Sequence, residues 1–363
     1  MTDFSTPTSR ATPTQAEITE WLTRAVQAPS GDNSQPWRFR FEGDTLFLLN
    51  HAEADATQYN FRQRGSLFAH GALIENLSLI AAEQGYQLEC ALFPPVQGAT
   101  ARLTFVPTIP VSSPLLAALP IRSTNRKPYG SRPLTTDDRR TLTEAVATIP
   151  TVRVQFVGEA TERDRLAQTL SANEQLIMEN QTLHDFLFSI IRWSPDEERA
   201  APGLSVKTME LPPPVYVLFR FVLNSWRRVQ FLNRFGFSKF IRTQITTAYR
   251  ASAAFGAIVV PHDTDTDFVI AGRAFERLWL AATLRGISLQ PTAALPYLAA
   301  RVAQGAAAAF SLDQQRTIQE AYSAIAATFE VSEHETIPML FRLGYGDPPS
   351  GISHKEVPII LGA

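Results

Sequence analysis

A single cysteine, Cys90, occurs in 363 residues. No internal disulfide can form, and no second thiol is present for a redox or metal pair. A lone cysteine of this kind reads as a small buried thiol, and the chain as one of a reducing compartment, expected to be cytoplasmic. The six histidines, His51, His70, His184, His262, His334 and His354, are scattered without ligand spacing, so no metal is expected. An excess of one charge is also missing. The 33 Lys and Arg nearly balance 35 Asp and Glu, which argues against general nucleic-acid binding. No run of 18 uncharged apolar residues occurs, so no transmembrane segment is expected. Residues 1–14 are rich in Thr, Ser and Pro and lack an apolar stretch. They read as a frayed, disordered tail and not as a signal peptide.

The chain is long enough for a large core or two lobes. Residues 15–28 place Ile18, Leu22, Ala25 and Val26 at helical spacing, with Thr14 and Glu17 as a possible capping box. Pro29 ends that helix. RFRFEGDTLFLLN then reads as two strands about Gly43 and Asp44. Helices are expected over 70–84, 135–147, 161–181, 271–285 and 312–329. Strands are expected over 101–106, 152–157 and at AAFGAIVV and MLFRLGYG. The Pro-rich VPTIPVSSPLLAALP reads as a bridge between two lobes.

Two stretches repeat. GALIENLSLIAAEQGYQL from Gly71 aligns without gaps to GRAFERLWLAATLRGISL from Gly272. Gly71/Gly272, Glu75/Glu276, Leu77/Leu278, Leu79/Leu280, Ala81/Ala282, Gly85/Gly286 and Leu88/Leu289 are identical. LTRAVQAP from Leu22 resembles LTEAVATIP from Leu142, in the same order. Helices rich in Leu and Ala resemble one another anyway, but two blocks in one order favour an internal duplication. The two offsets differ by about 80 residues, roughly the size of an irregular block at 182–246, which reads as an insertion in the second half.

The loop PSGDNSQPWRF joins a helix to a strand. Gly31 lets backbone approach a flat ligand, while Ser30, Asn33 and Gln35 offer hydrogen bonds. The same residues would also make an ordinary capped turn. In IRSTNRKPY, Arg122, Thr124 and Arg126 alternate, so an extended chain aims them to one side. Two guanidiniums and a hydroxyl there suit a phosphate, although a solvated basic linker has the same composition.

Together these two segments resemble the nitroreductase-like flavoprotein superfamily. Its members carry an R-x-S-x-R motif at the FMN phosphate and a P-S-x-x-N-x-Q-P-W loop at the flavin ring. Here the ring loop lies in the first half and the basic motif in the second, so each half keeps what the other lacks. That pattern is similar to the fused, single-chain (Acg-like) branch. The resemblance implies an α+β, nitroreductase-like fold, internally duplicated so that one chain mimics the usual homodimer. A first half would span 15–119 and a second half 120–363, in a monomeric pseudo-dimer. It implies an FMN site formed by Pro29, Ser30, Gly31, Asn33, Gln35, Arg122, Thr124 and Arg126. Gln290, Pro291, Thr292 and Ala293 match the family's late ring loop by place more than by letter. Lys355, after the Gly-Tyr turn, takes the place of the family's terminal cation. Thr124 replaces the family's serine. The implied activity is hydride transfer from NADH or NADPH, through FMN, to a small electron-poor acceptor such as a nitroaromatic or quinone, with no catalytic side chain required.

From Leu211 to His262 there is no acid, but Arg220, Arg227, Arg228, Arg234, Lys239, Arg242 and Arg250 occur among many aromatics. This block reads as a lid over the flavin, as a packed helical subdomain with a basic face, or as a membrane-surface patch. Two other functions stay open with it. One is a lidded protein that sequesters or senses FMN with little turnover. The other is a membrane- or partner-binding module with a vestigial flavin site.

Overall fold

The computed structural model describes residues 11–130 and 132–362, so the first ten residues of the expected tail lie outside it. Thr14 already caps α1 (Gln15–Ala25) through the capping box with Glu17. β1 (Trp37–Glu42) and β2 (Thr45–Asn50) form the expected hairpin. It closes at Gly43, whose φ of 59° suits glycine. α2 (Arg64–Glu83) begins ahead of the expected residue 70. Its first turn is polar, and ion pairs from Arg64 to Asp263 and Asp265 bury it. β3 (Tyr86–Leu92), an edge strand of mixed polarity, and β4 (Ala99–Pro107) complete an antiparallel sheet of order β1-β2-β4-β3.

The second sheet follows α3 (Thr136–Ala147), which Thr135 and Asp138 cap, and β5 (Arg153–Val157). The helix expected over 161–181 is broken. It becomes α4 (Ala160–Leu170), α5 (Ala172–Glu179) and the start of α6 (Gln181–Ile190). Asn180 turns to extended backbone and caps α6 with its side chain, as asparagine often does where a helix restarts. A short parallel pair, β6 (Ile191–Arg192) and β7 (Leu204–Ser205), brackets α7 (Pro195–Ala200). Then come α8 (Pro213–Leu218), a π turn at Phe219–Leu223, α9 (Trp226–Asn233) and α10 (Phe237–Arg250).

β8 (Ala254–Val260) is buried along its whole length, as its unbroken apolar run requires. α11 (Asp265–Leu284), β9 (Ser288–Pro291), α12 (Ala294–Ala303), α13 (Leu312–Thr328) and β10 (Thr336–Gly344) follow. The second sheet has the order β5-β8-β10-β9, again antiparallel. Matched in chain order, β1, β2, β3 and β4 correspond to β5, β8, β9 and β10, and both sheets then have one strand order. The interruptions differ. A two-residue turn joins β1 to β2, whereas residues 158–253 separate β5 from β8.

Between the sheets, α2 and α11 make the most extensive helix–helix contact. Gly71 lies against the Val269 carbonyl and Gly272 against the Phe68 carbonyl. Gly85 and Gly286 end the two helices at φ of 78° and 67°, as C-terminal cap glycines do. By length and composition Phe61–Glu83 could cross a membrane, but 83% of its apolar window is buried within this protein. The last residues return to the first sheet. Phe39 donates to the Ile359 carbonyl at 3.0 Å, Leu361 donates to the Phe39 carbonyl at 2.7 Å, and Ile360 bridges Phe39 in parallel.

Candidate functional site

The loop between α1 and β1 departs from ordinary backbone. Asp32, Asn33 and Gln35 have φ of 48°, 59° and 51°, a left-handed conformation that costs non-glycine residues energy and persists only where the surroundings hold it. Here they do. The Gln35 amide donates to Ser30 Oγ at 3.0 Å. Asn33 Nδ2 donates to the Gly203 and His354 carbonyls at 3.0 and 2.9 Å. Gln35 Oε1 accepts the Glu356 amide at 2.9 Å. The buried ring of His70, pushed down to about 4 by burial, holds the Pro36 carbonyl at 2.9 Å. The expected side chains Asn33 and Gln35 therefore serve the shape of the loop. Pro29 and Ser30 are half-buried, and Gly31 is exposed.

The basic motif reaches this loop from across the chain. Arg122 Nη2 donates to the Gln27 carbonyl at 2.7 Å, over a separation of 95 residues. Lys355 Nζ donates to the adjacent Ala28 carbonyl at 2.7 Å. Both cations thus clamp the entry to the loop. Behind them Glu276 is fully buried, 3.5 Å from Arg122 Nε, and the guanidinium lies 4.4 Å over the Trp279 ring. Burial pushes Glu276 up to about 7 against the pull of Arg122. Burial, with the like charge of Arg122, pushes Lys355 down to about 7.

Arg126 takes a different direction. It donates to the Thr208 carbonyl at 3.0 Å and has no ion pair among the described residues. Burial lowers its pKa, and Asp32, Tyr249 and Glu174 pull the other way, in that order. Burial raises both acids, and Arg126 opposes the rise in each. Thr124, between the two arginines, is half-buried. The structure therefore brings the ring loop and basic motif together, but gives Arg122 and Arg126 separate partners.

The late loop lies alongside. The Asn125 amide donates to the Leu289 carbonyl at 3.0 Å. Gln290 Oε1 accepts from Arg342 Nε at 2.7 Å. Pro291 and Ala293 are half-buried, and the Thr292 hydroxyl is buried without a hydrogen-bond partner among the described residues. Arg342 is fully buried, 3.9 Å over the Tyr129 ring.

Several of these residues escape a reading of the sequence. Asp32 stood inside the loop motif, and Glu276 was one of the repeated positions, a carboxylate in an apolar helix, so each had a signal. Asp55, Glu174, Tyr249 and Arg342 had none. Asp55 is buried and pushed up to about 7, first by burial and then by Asp32. With Asp32, Arg192 and Gly203 it lines a cavity of about 340 Å³.

The irregular block is divided. Its first part lies on the loop through Gly203, and Thr208 meets Arg126. Leu223 and Val229 are buried in the core. Phe221, Phe231, Phe235 and Phe240 point outward, 57–77% exposed.

No protein-family model matches the chain. It is 27% identical over 346 residues to an uncharacterized protein of Mycobacterium tuberculosis (strain CDC 1551), a match covering 92% of this chain and 46% of that protein. A protein of M. tuberculosis (strain H37Rv) described as "Putative NAD(P)H nitroreductase" is 27% identical over 177 residues, covering 48% of this chain and 49% of its own. The chain thus spans about half the length of the curated relatives it matches. Among solved structures, it is similar to a nitroreductase with bound FMN from Bacteroides fragilis, with a TM-score of 0.37 and 14% identity over 69% of this chain and 97% of that one. The FMN-dependent nitroreductase of Mycobacterium smegmatis, in complex with NADPH, gives a TM-score of 0.37 and 17% identity over 67% and 93%. The resemblance to the nitroreductase-like superfamily is carried by the Pro29–Trp37 loop, and the curated nitroreductase relative agrees with it.

Proposed function

We propose that this chain is a flavoprotein oxidoreductase that uses FMN and NADH or NADPH to reduce a small electron-poor acceptor, such as a nitroaromatic or quinone. One observation carries the reading. The ring-loop motif is held in a left-handed shape at Asp32, Asn33 and Gln35, beside a half-buried cation without an ion pair, Arg126.

The residues present fit FMN. Gly31 is exposed backbone beside the Asp55 carboxyl group, and the first amides of its turn have no acceptor within the turn. Arg126, with Thr124 beside it, would hold the phosphate. Pro291, Thr292 and Ala293 would border the ring, the unpaired Thr292 hydroxyl among them. Pro29, Ser30, Asn33 and Gln35 hold the loop shape, Arg122 and Lys355 clamp its entry, and Gln290 fixes Arg342. When bound, FMN supplies the hydride chemistry. The chain supplies orientation and a site sheltered from water.

The same reading includes an internal duplication of the fused type, with one chain standing for two subunits. The repeated helix sequence, the shared sheet order and the reciprocal glycine contacts support it. Residues 182–246 would then be a lid carried by the second half alone. A second reading, FMN storage or sensing under a closed lid, is favoured by the Asn33 bonds to Gly203 and His354, which tie the loop shut.

The absorbance spectrum of the purified chain, before and after anaerobic NADPH, tests both. An oxidised-flavin spectrum that NADPH bleaches supports the reductase. A flavin spectrum that NADPH leaves unchanged supports storage. A chain that stays colourless after incubation with FMN sinks both.

A further inference from the structure

We propose that the α9–α10 hairpin is a docking surface for anionic phospholipid membranes. Seven of the eighteen large hydrophobic side chains exposed among the described residues fall between Val215 and Phe240. Three stand at the turn between α9 and α10: Phe231 at 57%, Phe235 at 77% and Phe240 at 57% exposure. Phe231 and Phe235 lie one helical turn apart, with ring centroids at 5.3 Å. The opposite face of the hairpin is spoken for, because Val229 is buried and Trp226 and Phe237 pack on the core. Folding therefore does not account for the outer phenylalanines, and exposing them to water is unfavourable.

Within the hairpin itself the charges have one sign, and the acid at its edge, Glu179, accepts from Ser238 Oγ at 2.6 Å. Arg227, Arg234 and Lys239 are exposed, and their side chains have no hydrogen bond or ion pair among the described residues. No acid occurs from Leu211 to His262, so the acidic excess of the chain lies elsewhere. Protruding phenylalanines with unpaired cations between them match a headgroup layer, where rings enter the acyl boundary and cations meet lipid phosphate. Charge complementarity selects an anionic surface over a neutral one. The hairpin belongs to the proposed lid, but these phenylalanines are exposed on its outer side, and the test does not depend on flavin.

Co-sedimentation of the full chain with vesicles of mixed phosphatidylglycerol and phosphatidylcholine tests the proposal, with pure phosphatidylcholine as control. Binding is expected to the mixed vesicles only, and to weaken as salt rises. Replacing Phe231, Phe235 and Phe240 together by Ser should lower partitioning more than about tenfold. Each of Arg227→Glu, Arg234→Glu and Lys239→Glu should lower it at least about fivefold. These positions are exposed, so unchanged urea unfolding is the check that both sets of variants fold. Failure of the wild type to bind, equal binding to pure phosphatidylcholine, or indifference to both sets would overturn the proposal. So would a dimer in buffer that the Phe→Ser variant dissociates, which would assign the surface to a second copy of the chain.

Discussion

Gly71 and Gly272 face each other's helices in the same way: each lies against the backbone carbonyl three residues before the other, Val269 for Gly71 and Phe68 for Gly272. The relation is reciprocal, as at a two-fold interface between identical subunits. A Cβ at either position would collide with backbone, which cannot swing aside as a side chain can. Gly71→Ala and Gly272→Ala should each cost about 3 kcal/mol in urea unfolding. The double variant should cost less than the sum, since one separation of α2 from α11 relieves both clashes. Full additivity would show that the two contacts are independent.

The two arginines of the basic motif should fail differently. Arg122→Ala removes the cation beside the buried Glu276 and should cost about 3 kcal/mol of stability. Adding Glu276→Gln should recover part of that loss. Arg126→Ala breaks no ion pair but loses the hydrogen bond to Thr208, so the FMN-free chain should lose only about 1 kcal/mol, less than Arg122→Ala. FMN affinity should instead fall about ten- to a hundredfold, while riboflavin, which lacks the phosphate, should bind as before. Equal loss of both ligands would remove Arg126 from the phosphate site.

Stoichiometry tests the proposed duplication. One ring loop and one basic motif make one site, so heat extraction should release one FMN per chain. Two per chain would mean that the second half holds a site without a ring-loop motif.

Asp55 makes stability depend on pH with a definite sign. Its folded pKa, about 7, lies above the ordinary 3.8 of an aspartate, so the folded state keeps a proton that the unfolded chain releases. Its stabilising contribution is full below the unfolded pKa and is lost as pH rises through about 7. Asp55→Asn should therefore match wild type near pH 4 and exceed it by about 4 kcal/mol at pH 8. His70 works in the opposite sense. Its folded pKa is depressed to about 4, so its contribution is lost as pH falls from its ordinary 6.5 toward 4. The comparison of Asp55→Asn with wild type at each pH cancels that background. A constant difference across the range would show that Asp55 is ionised in the folded chain.

Much of the local structure was legible in the sequence. Thr14 with Glu17 announces a helix start, and Gly43 announces a hairpin, because caps and turns are decided within a few residues. The repeat from Gly71 to Gly272 was visible as letters before it was visible as contacts. The break at Asn180 was not, because the apolar spacing runs through it and only the packing of α5 and α6 shows where the chain turns. The start of α2 was missed for a related reason. Arg64 breaks the apolar pattern, and its partners Asp263 and Asp265 lie about two hundred residues away.

The sequence by itself determined that the Pro29–Trp37 loop and the Arg122–Arg126 motif lie far apart along the chain, with an acid-free aromatic block from Leu211 to His262. Tertiary structure alone decided what those groups touch. Alternation predicts that Arg122 and Arg126 share a side, but one clamps Gln27 in front of Glu276 while the other turns to Thr208 and Asp32. The contact of α2 with α11 and the return of the last residues to β1 determine which carbonyls and carboxylates come within reach. A long polar side chain takes the partner that packing delivers, and periodicity along a single strand carries no information about that partner.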